Sequence, residues 1–145
     1  MTEIVDAHHH IWHAGAADLA RACPNVTFIL QHAGMLEDLS PQSRSVWRAG
    51  IMCLAACSNA VSKLSGLGTF IHRTDPAHIG GIIAETVAMF GAERCLFGSN
   101  FPIEKLWTDY RSLIEAYLAA ARSLGIDERD EIFNTTARRV CRLQP

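Results

Sequence analysis

The sequence predicts an α/β fold built around about four parallel strands. Short apolar runs alternate with longer stretches of helical periodicity, which is the pattern of strands joined by helices. Each apolar run also ends in polar or glycine residues, as expected where the carboxyl ends of parallel strands carry a site. The 145 residues are 49% hydrophobic and 19% charged, values typical of one domain with its own core.

The strands are predicted from four apolar runs with polar ends, at 3–8 (EIVDAH), 26–32 (VTFILQH), 60–66 (AVSKLSG) and 94–100 (RCLFGSN). Helical segments separate them. Two of these begin at Ser40-Pro41 and Asp75-Pro76, where a capping side chain precedes a first-turn proline. We therefore expect a parallel sheet flanked by helices on one side.

Composition excludes several classes of function. The net charge of −2 gives no surplus of positive charge for nucleic acid or an anionic membrane. The apolar runs are far shorter than the ~20 residues of a membrane span. No basic stretch followed by an apolar run opens the chain, so we expect no signal peptide and a cytoplasmic protein. Five cysteines without a CxxC motif favour reduced thiols over disulfides.

The stretch "VDAHHHIWH" is the first candidate for chemistry. Alternate residues of a strand face the same side, so His8 and His10 project together and two imidazoles can bind one ion at ~2.1 Å. Asp6 lies on the same face and could orient one ring. His32 and Asn100, at the ends of later strands, could add a nitrogen and a carbonyl oxygen. Histidines that pair with backbone or water are commoner than metal ligands, so spacing alone leaves both interpretations open.

The ordered motifs "DAHHHIW", "PNVTFILQHAG", "NAVSKLSGLG" and "FGAERCLFGSNFPIEKL" together resemble the amidohydrolase-related metal-dependent hydrolases. The likeness is greatest to their lactonase-like branch, which opens sugar and dicarboxylic lactones. The resemblance implies a (β/α)8 barrel whose first strand carries a D-x-H-x-H motif, here Asp6, His8 and His10. It also matches His32 to a histidine on strand six and Asn100 to an acid on strand eight.

The resemblance implies a role for each of these residues. His8, His10 and His32 would hold a divalent metal, zinc or manganese, and His32 and Asn100 would be catalytic. Lys63 and Ser65 lie at the end of strand seven and would bind the small-molecule substrate. For Lys63, a head group in solvent is an equally open interpretation.

Asn100 stands where many relatives have aspartate. An amide oxygen can bind a metal but cannot act as a general base. That role would fall to His32, or to a water whose pKa a metal ion lowers. Since Asn100→Asp is nearly isosteric, the sequence alone suggests that it would leave the fold intact and restore a base.

Length is the second departure from the family pattern. A (β/α)8 barrel usually needs ~250 residues. Between His13 and Ala17 almost nothing remains of the region where the family places strands two to five. Residues 1–145 are therefore interpreted as one shortened domain, a half TIM-type barrel of strands one, six, seven and eight. Strand one could lie beside strand eight, as in a closed barrel, or beside strand six, which the short crossover favours.

Two functions remain open from the sequence. The first is a metal-assisted hydrolase of a lactone or related carbonyl compound. The alternative is a non-catalytic remnant of such an enzyme that folds as a half-barrel or associates with a partner. Either way, bare strand edges and an apolar inner face predict a homo-oligomer.

Overall fold

The computed structural model describes residues 15–143. Six α-helices lie in this range: α1 (Gly15–Ala22), α2 (Pro41–Ala55), α3 (Pro76–Phe90), α4 (Tyr110–Ala120), α5 (Ile126–Asp130) and α6 (Thr136–Val140). Three strands alternate with them: β1 (Phe28–Leu30), β2 (Ala60–Leu64) and β3 (Cys95–Phe97). The predicted strand 3–8, with His8 and His10, lies outside the described residues.

The strands form one parallel sheet in the order β1-β2-β3. Phe28 of β1 is aligned with Ala60 of β2, and Ser62 of β2 is aligned with Cys95 of β3. β2 is therefore the central strand and pairs with both of the others. The predicted α/β class and the parallel direction of the strands are confirmed. The predicted number of about four strands is corrected to three for residues 15–143.

Two of the strands, β3 and β1, are each four residues shorter than predicted, and β1 is the one that precedes His32. The sequence pattern extends this strand to residue 32, whereas β1 ends at Leu30. His32 and Ala33 take left-handed backbone conformations, with φ of 54° and 48°. A strand cannot continue through that conformation, so the chain turns away at the residue that the sequence singled out as functional.

The predicted helix starts at Ser40 and Asp75 are confirmed. The Ser40 hydroxyl accepts a hydrogen bond from the backbone N–H of Ser43 at 3.2 Å. The Asp75 carboxylate accepts one from the N–H of Ala77 at 2.9 Å. Each cap satisfies an amide that the first helical turn leaves unpaired, and the proline that follows needs no partner.

The hydrophobic core lies between one face of the sheet and the helices. Ala60, Leu64 and Cys95 from the strands belong to the same buried cluster as Ile79 and Phe90 of α3. Side chains alternate along a strand, so residues 61 and 63 of β2 face the opposite side, which is the inside of a barrel. This arrangement places the side chain of Lys63 on the inner face.

An ion pair joins α2 to α3 at the surface. Arg44 and Arg48 of α2 both donate hydrogen bonds to the Glu85 carboxylate of α3. The hydrogen bond from Arg48 is the main reason that the pKa of Glu85 lies below its usual value. Among the helices of residues 15–143, none has the length and apolar character needed to cross a membrane.

Candidate active site

The carboxyl ends of the three strands meet at one edge of the sheet. His32 follows β1, Ser65 follows β2 and Asn100 follows β3 after two intervening residues. Because parallel strands end on the same side, the loops that leave them bring these side chains together. The edge therefore gathers three of the residues for which the sequence predicted a chemical role.

The imidazole of His32 is oriented by Ser65. Its Nδ1 lies 2.9 Å from the hydroxyl oxygen of Ser65 and 3.3 Å from the carbonyl oxygen of the same residue. A carbonyl oxygen can only accept, so this pairing favours the tautomer with the proton on Nδ1. The lone pair then lies on Nε2, as a metal ligand or a general base requires.

The loop that carries His32 is held in a strained conformation. His32, Ala33 and Met35 all have positive φ, a conformation that costs free energy for residues with a Cβ. The indole N–H of Trp47 donates to the carbonyl oxygen of Ala33 at 2.7 Å, and Trp47 is buried in the core. Packing of α2 thereby holds the loop, and with it the imidazole, in one position.

Three side chains of the site lie around Gly66. A Cβ placed on Gly66 would lie 2.8 Å from Nδ1 of His32, 3.0 Å from Nδ2 of Asn100 and 3.1 Å from the hydroxyl of Thr69. Gly66 also has a φ of 60°, which glycine adopts without strain. The three side chains thus surround one small residue that has no side chain of its own.

Asn100 contacts a buried carboxylate that the sequence did not reveal. Its Nδ2 donates to Oε1 of Glu104 at 3.2 Å, and the hydroxyl of Thr69 donates to the same oxygen at 3.0 Å. Glu104 is 1% exposed. The available signal was a glutamate four residues after Asn100, in the stretch "FPIEKL". That spacing alone did not show that the side chain turns back to the site.

Lys63 crosses the inner face of the sheet toward β3. A Cβ on Gly98 would lie 2.4 Å from Cε of Lys63 and 3.2 Å from Cβ of Ser65. The glycine of the "FGSN" motif therefore leaves the space that the lysine stem occupies. The stem of Lys63 thus lies beside Ser65 at the same edge of the sheet.

A second layer supports the loop after β2. The N–H of Leu67 donates to the hydroxyl of Tyr117 at 3.1 Å, and Nε2 of His78 lies 3.1 Å from the carbonyl oxygen of Leu67. Burial raises the pKa of the Tyr117 phenol, and the nearby Glu104 adds to this shift. Tyr117 is therefore a neutral hydrogen-bonding group that fixes the loop backbone.

The structure brings together His32, Ser65 and Asn100, with Lys63 beside them. The other two predicted metal ligands, His8 and His10, lie outside the described residues. Within residues 15–143 no group of three or more histidine, cysteine, aspartate or glutamate side chains could hold a metal ion. The support that Ser65 gives to His32 nevertheless fits a metal-binding histidine, whose second nitrogen is usually held by an oxygen.

A separate apolar groove of about 660 Å³ lies between α1, α2 and the loop after β1. Trp47, Ile51 and Leu54 line it. None of the residues for which a role was predicted does so. The groove is therefore distinct from the edge where His32 and Asn100 meet.

A histidine, a serine and an amide lie together at the carboxyl ends of parallel strands. This arrangement defines the general class of the protein, which is an α/β protein with its site at the carboxyl edge of the sheet. The chain belongs to the amidohydrolase family, whose model, described as "Amidohydrolase", matches residues 5–143. The resemblance inferred from the sequence motifs is thereby confirmed.

Individual relatives agree with this assignment. The chain is 34% identical to the protein y4mH of Sinorhizobium fredii over 120 residues, covering 83% of this chain and 40% of the relative. It is 33% identical to the L-fucono-1,5-lactonase of Burkholderia multivorans over 124 residues, covering 77% of this chain and 41% of the relative. The chain thus spans about two-fifths of the length of these curated relatives.

A solved structure with the same fold is an amidohydrolase from Burkholderia multivorans with bound zinc. It superimposes with a TM-score of 0.77 at 28% identity, over 90% of this chain and 50% of that one. The described part of the chain therefore matches half of an amidohydrolase barrel.

Proposed function

We propose that the chain hydrolyses a lactone or a related carbonyl compound at the carboxyl edge of its sheet. The observation that carries the proposal is the meeting of the Ser65-oriented His32 with Asn100 around Gly66. Its support from relatives is the likeness to the L-fucono-1,5-lactonase of Burkholderia multivorans over 77% of the chain. The reaction would add water to the acyl carbon, break the ring C–O bond and yield a hydroxy acid.

A divalent metal, zinc or manganese, is part of this proposal. His8, His10 and His32 would hold it. When bound, such an ion lowers the pKa of a water and polarises the substrate carbonyl. The orientation of His32 by Ser65 and the zinc in the similar Burkholderia structure support this assignment.

The protein's own side chains would divide the remaining tasks. Nε2 of His32 would bind the metal or accept the proton of the attacking water. Nδ2 of Asn100 donates a hydrogen bond to Glu104. Oδ1 of Asn100 would therefore accept a hydrogen bond from that water or from a substrate hydroxyl. Ser65 would keep the imidazole in place. Lys63 would pair with a carboxylate or a developing negative charge on the substrate.

The half-length match favours a second candidate, a non-catalytic chain. In this case the region of barrel strands two to five would be missing from the domain of residues 1–145. We propose for both candidates that copies of the chain associate. The partly exposed β1, which pairs only with β2 in the described part of the chain, is the edge that a second copy would cover.

Lactone hydrolysis by the purified chain tests the proposal. The full chain is treated with chelator, reloaded with zinc or manganese, and assayed for acid release from L-fucono-1,5-lactone and from other sugar and dicarboxylic lactones. We expect turnover only in the reloaded sample, and His32→Ala should lower kcat/KM by at least about 100-fold. His72→Asn is the matched control, because His72 is exposed, has a φ of 50° that asparagine tolerates, and has its ring beside that of Trp107.

Two results would contradict the hydrolase. One is equal turnover by wild type and His32→Ala. The other is a folded, metal-loaded wild type that opens none of the lactones, which would favour the non-catalytic candidate. Light scattering on the same sample gives the oligomeric state, and a monodisperse monomer would contradict the proposed association.

A further inference from the structure

Glu104 is the least expected residue of the site. It lies in a short 3-10 helix, Ile103–Leu106, and is 1% exposed. Its Oε1 accepts hydrogen bonds from Asn100 and Thr69. Its Oε2 is buried and has no hydrogen-bond partner among the described residues. A carboxylate in such a place is costly, so it persists only where its contacts are needed.

We propose that Glu104 is a positioning residue that fixes the side-chain amide of Asn100. An asparagine amide can rotate by half a turn and exchange its N–H and C=O ends with little steric change. Oε1 of Glu104 accepts hydrogen bonds from both Asn100 and Thr69, so Glu104 selects the orientation in which Nδ2 of Asn100 points toward it. The acceptor Oδ1 then faces away from Glu104, where water or substrate would bind.

The same geometry makes Asn100 and Glu104 a matched pair, in which one member is an amide and the other a carboxylate. This inference rests on the proposed function for its catalytic meaning, whereas the pairing itself is a property of the fold. It also changes the expectation for Asn100→Asp. That substitution would remove the donor NH2 and place a second carboxylate at hydrogen-bond distance from the buried Glu104, where like charges repel.

The chain contains a matched control on its surface. Nδ2 of Asn134 donates to Oδ1 of Asp130 at 3.2 Å, and the hydroxyl of Thr135 donates to the other oxygen at 2.7 Å. The residue types and the spacing of four resemble those of Asn100 and Glu104. The difference is exposure, because the hydrogen bonds of Asp130 lie at the surface.

A double-mutant cycle tests the pairing by thermal unfolding of the full chain. Asn100→Asp should lower the Tm by roughly 5–10 °C, because a like-charge pair that includes the buried Glu104 costs far more than an exposed one. Adding Glu104→Gln should restore most of this loss, since carboxylate and amide have then exchanged places. Asn134→Asp should change the Tm by less than about 2 °C, because solvent screens the exposed pair.

The orientation of the amide has its own readout. The chain has four asparagines, so isotope-labelled asparagine gives four side-chain NH2 signals in an NMR spectrum, and the Asn100 signal is assigned by its loss in Asn100→Ser. Glu104→Gln should shift this signal and leave that of Asn134 unchanged. In the hydrolysis assay, Glu104→Gln should lower kcat by about tenfold with little change in KM, because the amide would no longer be held in one orientation.

The unfolding and NMR measurements need no turnover, so they separate this inference from the hydrolase proposal. A coupled cycle and a shifted Asn100 signal in a chain without lactonase activity would uphold the pairing and refute the hydrolase. Equal Tm losses for Asn100→Asp in both backgrounds would overturn the pairing. So would an Asn100 signal that Glu104→Gln does not move.

Discussion

Replacing Gly66 with alanine is expected to lower the free energy of unfolding by about 2–4 kcal/mol. Two costs add at this position. The backbone has a φ of 60°, which a residue with a Cβ adopts only with strain. The new methyl group would also lie 2.8 Å from Nδ1 of His32 and 3.0 Å from Nδ2 of Asn100. Relief of these contacts would separate His32 from Ser65, so the site is lost together with stability.

Denaturant unfolding of Gly66→Ala beside Gly50→Ala measures this effect. Gly50 lies inside α2, and a Cβ there would have no atom within 4 Å. Gly50→Ala should therefore stabilise the chain by about 0.5–1 kcal/mol, because alanine restricts the unfolded backbone and favours the helix. A Gly66→Ala variant that is as stable as wild type would show that the three side chains do not converge at this residue.

Removing the Tyr117 side chain is the second change with a large expected effect. Tyr117 is 1% exposed, its ring contacts Phe97 edge-on at 5.0 Å, and its hydroxyl accepts from Leu67 N–H. Tyr117→Ala should cost about 3–5 kcal/mol, because it empties a large core volume and leaves the buried Leu67 amide unpaired. Tyr117→Phe keeps the ring and should cost about 1–3 kcal/mol for the unpaired amide alone.

The other tyrosine supplies the control for the hydroxyl. Tyr110 is 53% exposed, so Tyr110→Phe should change stability by no more than about 0.5 kcal/mol. Equilibrium unfolding of the four proteins, wild type included, separates ring packing from the hydrogen bond. A Tyr117→Phe variant with wild-type stability would mean that the hydroxyl does not support the loop after β2.

The sequence was informative about the sheet because its signals are local. Apolar runs with polar ends placed β2 and β3, and their parallel direction follows from the helices between them. The residue at which β1 ends could not be predicted from such local signals. The backbone becomes left-handed at His32, beside a loop carbonyl that accepts a hydrogen bond from Trp47 of the next helix, and a strand pattern does not show either feature.

The candidate site was predictable only in its outline. His32, Ser65 and Asn100 stand at strand ends, and the parallel sheet brings such ends together. The role of Glu104 could not be predicted, because its contact with Asn100 depends on how the chain turns after β3. The role of Gly66 was equally hidden, since it depends on the approach of two side chains from other strands. His8 and His10, on which the metal assignment depends, stay predictions.

Calorimetric titration of the metal-free full chain with zinc tests the central claim most directly, that these strand ends form a metal site with His8, His10 and His32. We expect stoichiometric uptake by wild type and by the exposed control His72→Asn. Uptake should be abolished in the His8→Ala/His10→Ala double variant and weakened at least about 100-fold in His32→Ala, because the remaining ligands cannot complete a site. Unchanged zinc binding in the double variant, or no binding by folded wild type, would contradict the claim.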